Sequence, residues 1–306
     1  KNNIGVEAID REHKELFSAV VRMKKILEQN DHEKNIRACV EMMKFFKYYT
    51  LNHLKSEEAY MRSIKYEDYD HHVDRHNELR ALIPVLEETL EKSNYSFENV
   101  QHFLGVSIGW LTGHIMTEDK MLGKKRTDDL RDLDREEGIE LLSNTICEMI
   151  NIMFNINATL EGEHEEINRL LKDCVICELT YVADGGESIQ VIIMLEERLV
   201  LGTIGSMVDI KFNKIDKIVL SATTELTKII MQRVKTMFKK YGKTYTFANQ
   251  RIMTFKEVKK HFKNNPSMYS LLFNTEIGNC LFCISHVNQN IRIRKCGLLY
   301  SANHIS

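Results

Sequence analysis

Proline is almost missing from this chain, with two residues in 306. There is no low-complexity tract and no simple short repeat. With 43% hydrophobic and 28% charged residues, the composition is that of a soluble globular protein. A dominant charge is missing too: 42 Lys and Arg stand against 44 Asp and Glu, for a net charge of −2 with histidine neutral. That removes any global electrostatic case for nucleic acid or an anionic membrane as partner. No apolar run approaches the roughly 18–20 residues that a membrane span needs. No secretory signal is visible, although the chain starts at Lys1, so what precedes it stays open. Cysteine is present in an odd number, seven, which reads as free thiols and a cytoplasmic location.

What is present falls into two halves, as 306 residues suit two domains better than one small core. In residues 1–123, apolar residues recur at three- and four-residue spacing over 11–29, 34–62, 70–92 and 96–122. The breaks are short and polar: Asn30-Asp31, Lys65 to Asp70, and Ser93-Asn94. Four helices with short connections predict an up-down four-helix bundle. Residues 124–138 are almost all charged and read as a linker or an extension of helix four ending at Gly138.

From residue 139 the pattern changes to α+β, with a mostly antiparallel sheet and long helices. Helices are expected over 140–160 and 214–241. Strands are expected over 174–182, 188–196, 198–204, 243–253, 269–275 and 279–287. The tail 289–306 has no assignment.

The helical half carries a pattern of metal-binding residue types. His53 and Glu57 are four apart on helix two, His72 and His76 four apart on helix three, and His114 and Asp119 five apart on helix four. Helix one offers His13. Residues four apart share a helix face, so each helix can aim ligands at one point inside the bundle. Five imidazoles and two carboxylates are too many for one ion. Two ions bridged by Glu57 and Asp119 would use all seven. Imidazole with carboxylate suits iron or manganese, and buried carboxylates without cations would be costly. A histidine-rich set that leaves one ion under-coordinated favours binding dioxygen over activating it. His71 and Glu58 fall outside the spacing, while His32 and His102 read as surface residues. Trp110 reads as a core aromatic that could line an oxygen pocket.

These residues resemble the bacterial hemerythrins over 1–123, in IGVEAIDREHKELF (4–17), HLKSEEAYM (53–61), HHVDRH (71–76) and HIMTEDKML (114–122). The resemblance implies a di-iron centre with a bridging oxide or hydroxide. His72, His76 and His114 would hold one iron, His13 and His53 the other, and Glu57 and Asp119 would bridge. O2 would bind at the iron held by two histidines. One departure is that Tyr66 is followed by Glu67, where the family often has proline.

Residues 140–288 resemble, more weakly, the chemotaxis phosphatases of the CheC and CheX type. The resemblance rests on element order and on the helix containing SATTELTKIIMQRVKTMF (221–238). That family places Glu-x-x-Asn here, to orient the water that attacks a response regulator's aspartyl phosphate. This chain has Glu225 and Lys228. Lysine offers no acceptor to hold a water, so Glu225 is only a weak catalytic candidate. The plainer reading is an exposed helical ion pair. The resemblance further implies a homodimer through this half and a receiver domain as partner. Cys174/Cys177 and Cys280/Cys283 are spaced like zinc ligands but lie in apolar, strand-like runs, so buried strand cysteines are expected. Glu161, Glu163, His164, Glu165 and Glu166 read as a solvated acidic loop.

Three functions compete. One is an oxygen or redox sensor coupled to the second half. Another is an oxygen carrier or scavenger with a dimerisation domain. The third is an oxygen-gated aspartyl-phosphate phosphatase, and the missing Asn weighs against an enzyme.

Overall fold

Four helices open the chain in a computed structural model that describes residues 7–29, 31–119, 122, 135–163, 173–183, 186–239 and 244–287. They are α1 (Glu7–Leu27), α2 (His32–Ser63), α3 (Tyr69–Lys92) and α4 (Phe97–Thr117). Asp31 caps α2 by accepting from the Lys34 amide, and Ser96 caps α4 by accepting from Asn99. Each helix packs on the next, and α1 closes on α4. The charged stretch 124–134 and the tail 289–306 lie outside the described residues. Gly138 does not end a helical extension. It lies inside α5 (Arg135–Phe154), where one glycine costs about 1 kcal/mol and is carried by the helix around it.

After α5 the backbone turns at Asn155, with φ of 54°, and enters β1 (Ala158–Glu163). That strand takes the end of the helix expected to reach residue 160. It also puts Glu161 and Glu163 on a sheet edge and not in a loop, while His164 to Glu166 lie outside the described residues. Then follow β2 (Cys174–Ala183), β3 (Ser188–Glu196), α6 (Glu197–Val208), α7 (Lys217–Lys239), β4 (Tyr245–Ile252), α8 (Phe255–Asn264), β5 (Tyr269–Thr275) and β6 (Gly278–Val287). The strands form one antiparallel sheet in the order β1-β5-β6-β3-β2-β4.

The strand expected at 198–204 is a helix, α6. Leu199, Val200, Thr203, Ile204, Gly205, Met207 and Val208 are its buried positions, spaced by turns of a helix. Seven residues rich in Val, Leu and Ile were too short a window to separate the two periods. Helix α8 was not anticipated either, although Thr254 and Glu257 form a capping box at its start.

Both faces of the sheet are covered, which explains the near-continuous apolar strands. Val175, Cys177, Leu179, Tyr181, Val191 and Ile193 point to α5, α6 and α7. Ile176, Ile192, Met194, Leu281 and Cys283 point to Val258 of α8. Each Cys-x-x-Cys pair is therefore split between faces, Cys177 and Cys280 on one and Cys174 and Cys283 on the other. These four strand cysteines are free thiols, as are Cys39 and Cys147 among the described residues.

The two halves share a core. α4 is buried from Phe103 through Thr117, because one side faces the bundle and the other faces α7. A helix apolar on all sides must be covered on all sides. No helix among the described residues is long and apolar enough to cross a membrane.

Candidate metal centre

All seven residues singled out by spacing come together inside the bundle, and all are buried. His13 comes from α1, His53 and Glu57 from α2, His72 and His76 from α3, and His114 from the last turn of α4. Asp119 is not on α4. The helix stops at Thr117, and the chain turns through Glu118 to bring Asp119 back to the site. Five residues along a continuous helix would have pointed Asp119 to another face.

Two ligand groups form. Glu57, His72, His76 and His114 offer atoms within 4.8 Å of one another, and so do His13, His53 and Glu57. The Nε2 atoms of His72 and His76 lie 3.3 Å and 3.2 Å from His114 Nε2. Glu57 Oε2 is 3.1 Å from His76 Nε2 and 4.0 Å from His53 Nε2, so it reaches both groups. Asp119 does the same: Oδ2 lies 3.2 Å from His13 Nε2, and Oδ1 lies 3.1 Å from His114 Nε2 and 3.3 Å from His72 Nε2.

Two of the outward ring nitrogens are held by carboxylates. His53 Nδ1 lies 2.6 Å from Glu12, and His76 Nδ1 lies 2.9 Å from Glu58, which also accepts from Arg80 at 2.7 Å. A proton on each Nδ1 leaves the Nε2 lone pair facing inward, as a metal requires. Glu58 and Glu12 thus support ligands without joining them. The sequence spacing excluded Glu58 and gave no signal for Glu12.

The electrostatics fit cations. Burial and the Asp119 charge push the Glu57 carboxyl up, but hydrogen bonds from His114, His72 and His76 hold it well below its ordinary range. Burial raises Asp119 likewise, and the charge and hydrogen bonds of His114, with His13 and His72, pull it well below. Burial lowers the His114 imidazole, yet Asp119 and Glu57 lift it to about 10. His72 is lifted to about 8 against the same burial. Three buried atoms of the cluster have no hydrogen-bond partner: His13 Nδ1, Glu57 Oε1 and His72 Nδ1. Such orphans are costly in a packed interior, and convergent ones fit metal ions.

A cavity of about 10 Å³ meets His13, His53 and His114, walled by Leu16, Phe46, Tyr49, Leu54, Trp110 and Ile115. Trp110 stacks on His114, with ring centroids 4.5 Å apart and planes 12° apart. Trp110 also lines a second, polar cavity of about 20 Å³ with Arg75, Glu78, Glu118, Glu225 and Lys228.

Glu225 is therefore not an exposed ion-pair residue. It is buried against α4, where its Cβ faces Gly109. Burial lifts its carboxyl above the ordinary range. Lys228 lies over the Phe247 ring at 5.5 Å. His102 is also not a surface residue: Nδ1 lies 2.8 Å from Ser221 Oγ of α7, and burial lowers its imidazole to about 4. His71, beside the candidate ligand His72, turns instead to Thr236 of α7 at 2.8 Å. His32 is exposed, as expected. The contact between halves had one sequence signal, the spacing Gly105-x3-Gly109-x3-Gly113 on the mostly apolar helix α4.

Residues 4–125 match the family described as the hemerythrin HHE cation binding domain. No curated protein matches the chain. Among solved structures, the chemotaxis protein CheX of Vibrio vulnificus is 14% identical, covering 49% of this chain and 99% of its own, with a TM-score of 0.40. A CheC-like superfamily protein of Shewanella sp. PV-4 is 16% identical, with 51% and 100% covered and a TM-score of 0.41. CheX of Borrelia burgdorferi, solved as a complex with CheY, BeF3 and Mg, is 13% identical, with 50% and 100% covered and a TM-score of 0.41.

Proposed function

We propose that this chain, hemerythrin-like over residues 4–125, binds dioxygen reversibly at two iron ions, and that its α+β half reads the state of that centre as an oxygen or redox sensor. His72, His76 and His114 hold one iron in this reading, and His13 and His53 the other. Glu57 and Asp119, each within reach of both groups, would be shared between the two irons. Iron held there would supply the redox chemistry of reversible dioxygen uptake.

The protein's own part is positioning and exclusion. Glu12 and Glu58 fix the rings of His53 and His76. Leu16, Phe46, Leu54 and Ile115 keep the small cavity beside His13 and His53 apolar, which favours a neutral diatomic guest over water or ions. The observation that carries the reading is this pairing of a histidine-rich, two-carboxylate cluster with a mainly apolar cavity that meets His13, His53 and His114.

The α+β half resembles the CheC and CheX phosphatases in element order and in the place of Glu225. Lys228 stands where their amide would be, and Glu225 is covered by α4. Both facts favour partner binding over hydrolysis of an aspartyl phosphate. A response-regulator receiver is the partner in this reading, a homodimer through the α+β half the assembly, and the cytoplasm the location.

The test is to reduce the purified chain anaerobically, add O2, and record the visible spectrum together with iron content. Two irons per chain and a reversible oxygen-dependent charge-transfer band are expected. Two irons oxidised at once and irreversibly would replace oxygen binding with redox or peroxide sensing. A chain without iron would overturn the proposal. Solution size and receiver binding, compared between deoxy and oxy forms, separate a sensor from a carrier.

A further inference from the structure

The helix that delivers His114 and leads into Asp119 is also the helix on which α7 is seated. Three glycines bring the two backbones together. A Cβ on Gly105 would lie 2.3 Å from the Ile218 carbonyl oxygen, and one on Gly109 would lie 2.7 Å from the Ala222 carbonyl oxygen and from Glu225 Cβ. A Cβ on Gly113 would lie 2.2 Å from Ile229 Cδ1. There is no slack in such a contact, and packed interiors transmit displacement because they do not compress.

Polar groups add to the seat: His102 of α4 reaches Ser221 of α7, and from α3 Glu78 Oε2 accepts from Gln232 Nε2 at 2.9 Å and His71 reaches Thr236. Trp110 stands between the two sites. Its face lies on His114, and it walls both the apolar cavity by the metal centre and the polar one that contains Glu225 and Lys228. Glu225 is 5% exposed and faces that polar cavity, so the bundle occupies the α7 surface that bears it.

We infer that the α4–α7 contact is a conformational link, through which the state of the metal centre sets how firmly α7 is held and whether the Glu225 face is covered. Metal pins the end of α4 at His114 and Asp119, and the pinned helix holds α7 through Gly105, Gly109 and Gly113. Without metal, the end of α4 is free to shift and the seat loosens. This inference rests on the metal-binding part of the proposal above. It needs neither dioxygen nor a receiver domain.

Hydrogen exchange of the α7 backbone amides, measured on the full chain with and without iron, tests it. Metal content is determined on the same samples. Loading should slow exchange over 217–239 by about 5- to 150-fold, the ordinary range of coupling between sites. Gly109→Ala, whose new methyl would meet the α7 backbone, should remove most of that difference while iron content stays at the wild-type level. Ile229→Ala makes the same test from the α7 side, should Gly109→Ala fail to fold. A chain that takes up no metal would overturn the metal reading and this one together. A loaded chain with α7 exchange equal to that of the metal-free chain, or variants that keep the full difference, would overturn the link alone.

Discussion

Each half of the molecule buries a cluster of histidine and carboxylate, and the two are balanced in opposite ways. In the α+β half, Glu178 of β2 pairs across the sheet with Arg251 of β4. His261 of α8 lies 3.0 Å from Ser285 Oγ, with its other nitrogen 3.9 Å from Glu178. A guanidinium from the same sheet supplies the countercharge to Glu178, leaving only its Oε1 without a hydrogen-bond partner. In the bundle, Glu57 and Asp119 face five imidazoles, and among the described residues no lysine or arginine pairs with either. Burying two carboxylates without a permanent cation costs several kcal/mol per charge. Residue types alone do not mark a metal site. The difference lies in whether the fold provides its own positive charge.

The comparison is broken most sharply at Glu57, the carboxylate common to both ligand groups. Glu57→Ala should lower bound metal from two ions per chain to near none and lower the melting temperature of the bundle, read by elemental analysis and a thermal scan. His53→Ala should remove about one ion of the two, because the group around His72, His76 and His114 keeps its ligands. If either variant kept both ions, the ligand assignment would be wrong.

A smaller effect is expected from pH. In the metal-free chain His72 lies near 8 and His114 near 10, both above the 6.5 of an unperturbed imidazole. A raised pKa contributes stability that is complete below about pH 6.5 and is lost as pH rises through about 8 and then about 10. Thermal scans of chelated protein should therefore show a falling melting temperature from pH 6.5 to 10. Metal-loaded protein, whose ligands carry no such protons, should lack that slope. Smallest is Glu178→Gln, which keeps the shape and removes the charge. It should cost about 1 kcal/mol in a denaturant titration and leave metal content unchanged. Loss of metal in that variant would erase the distinction between the clusters.

Most of the bundle and all seven of its candidate ligands were legible, because helical periodicity and four-residue spacing are local. His53 and Glu57 share a face by geometry, whatever surrounds them. Asp119 was legible as a residue but not as a position, since its approach depends on α4 ending at Thr117. The strands at 174–183 and 188–196 announced themselves through Val and Ile. The segment 197–208 misled for the same reason, because a helix buried on one face and a short strand can be equally apolar. Glu225 and His102 look like surface residues in any local window. Glu225 is buried and His102 half-buried only because another helix lies on each.

The sequence by itself determined the existence of the bundle, the antiparallel character of the second half and the convergence of histidine with carboxylate, since each follows from backbone periods of 3.6 and 2 residues. The tertiary structure alone decided that α4 serves both halves, that α7 is packed within reach of the metal centre and that the Glu225 face is covered. Those outcomes depend on contacts between residues more than a hundred positions apart. Such contacts are selected by shape and by the need to bury every side of α4, and neither is written in the spacing of any one segment.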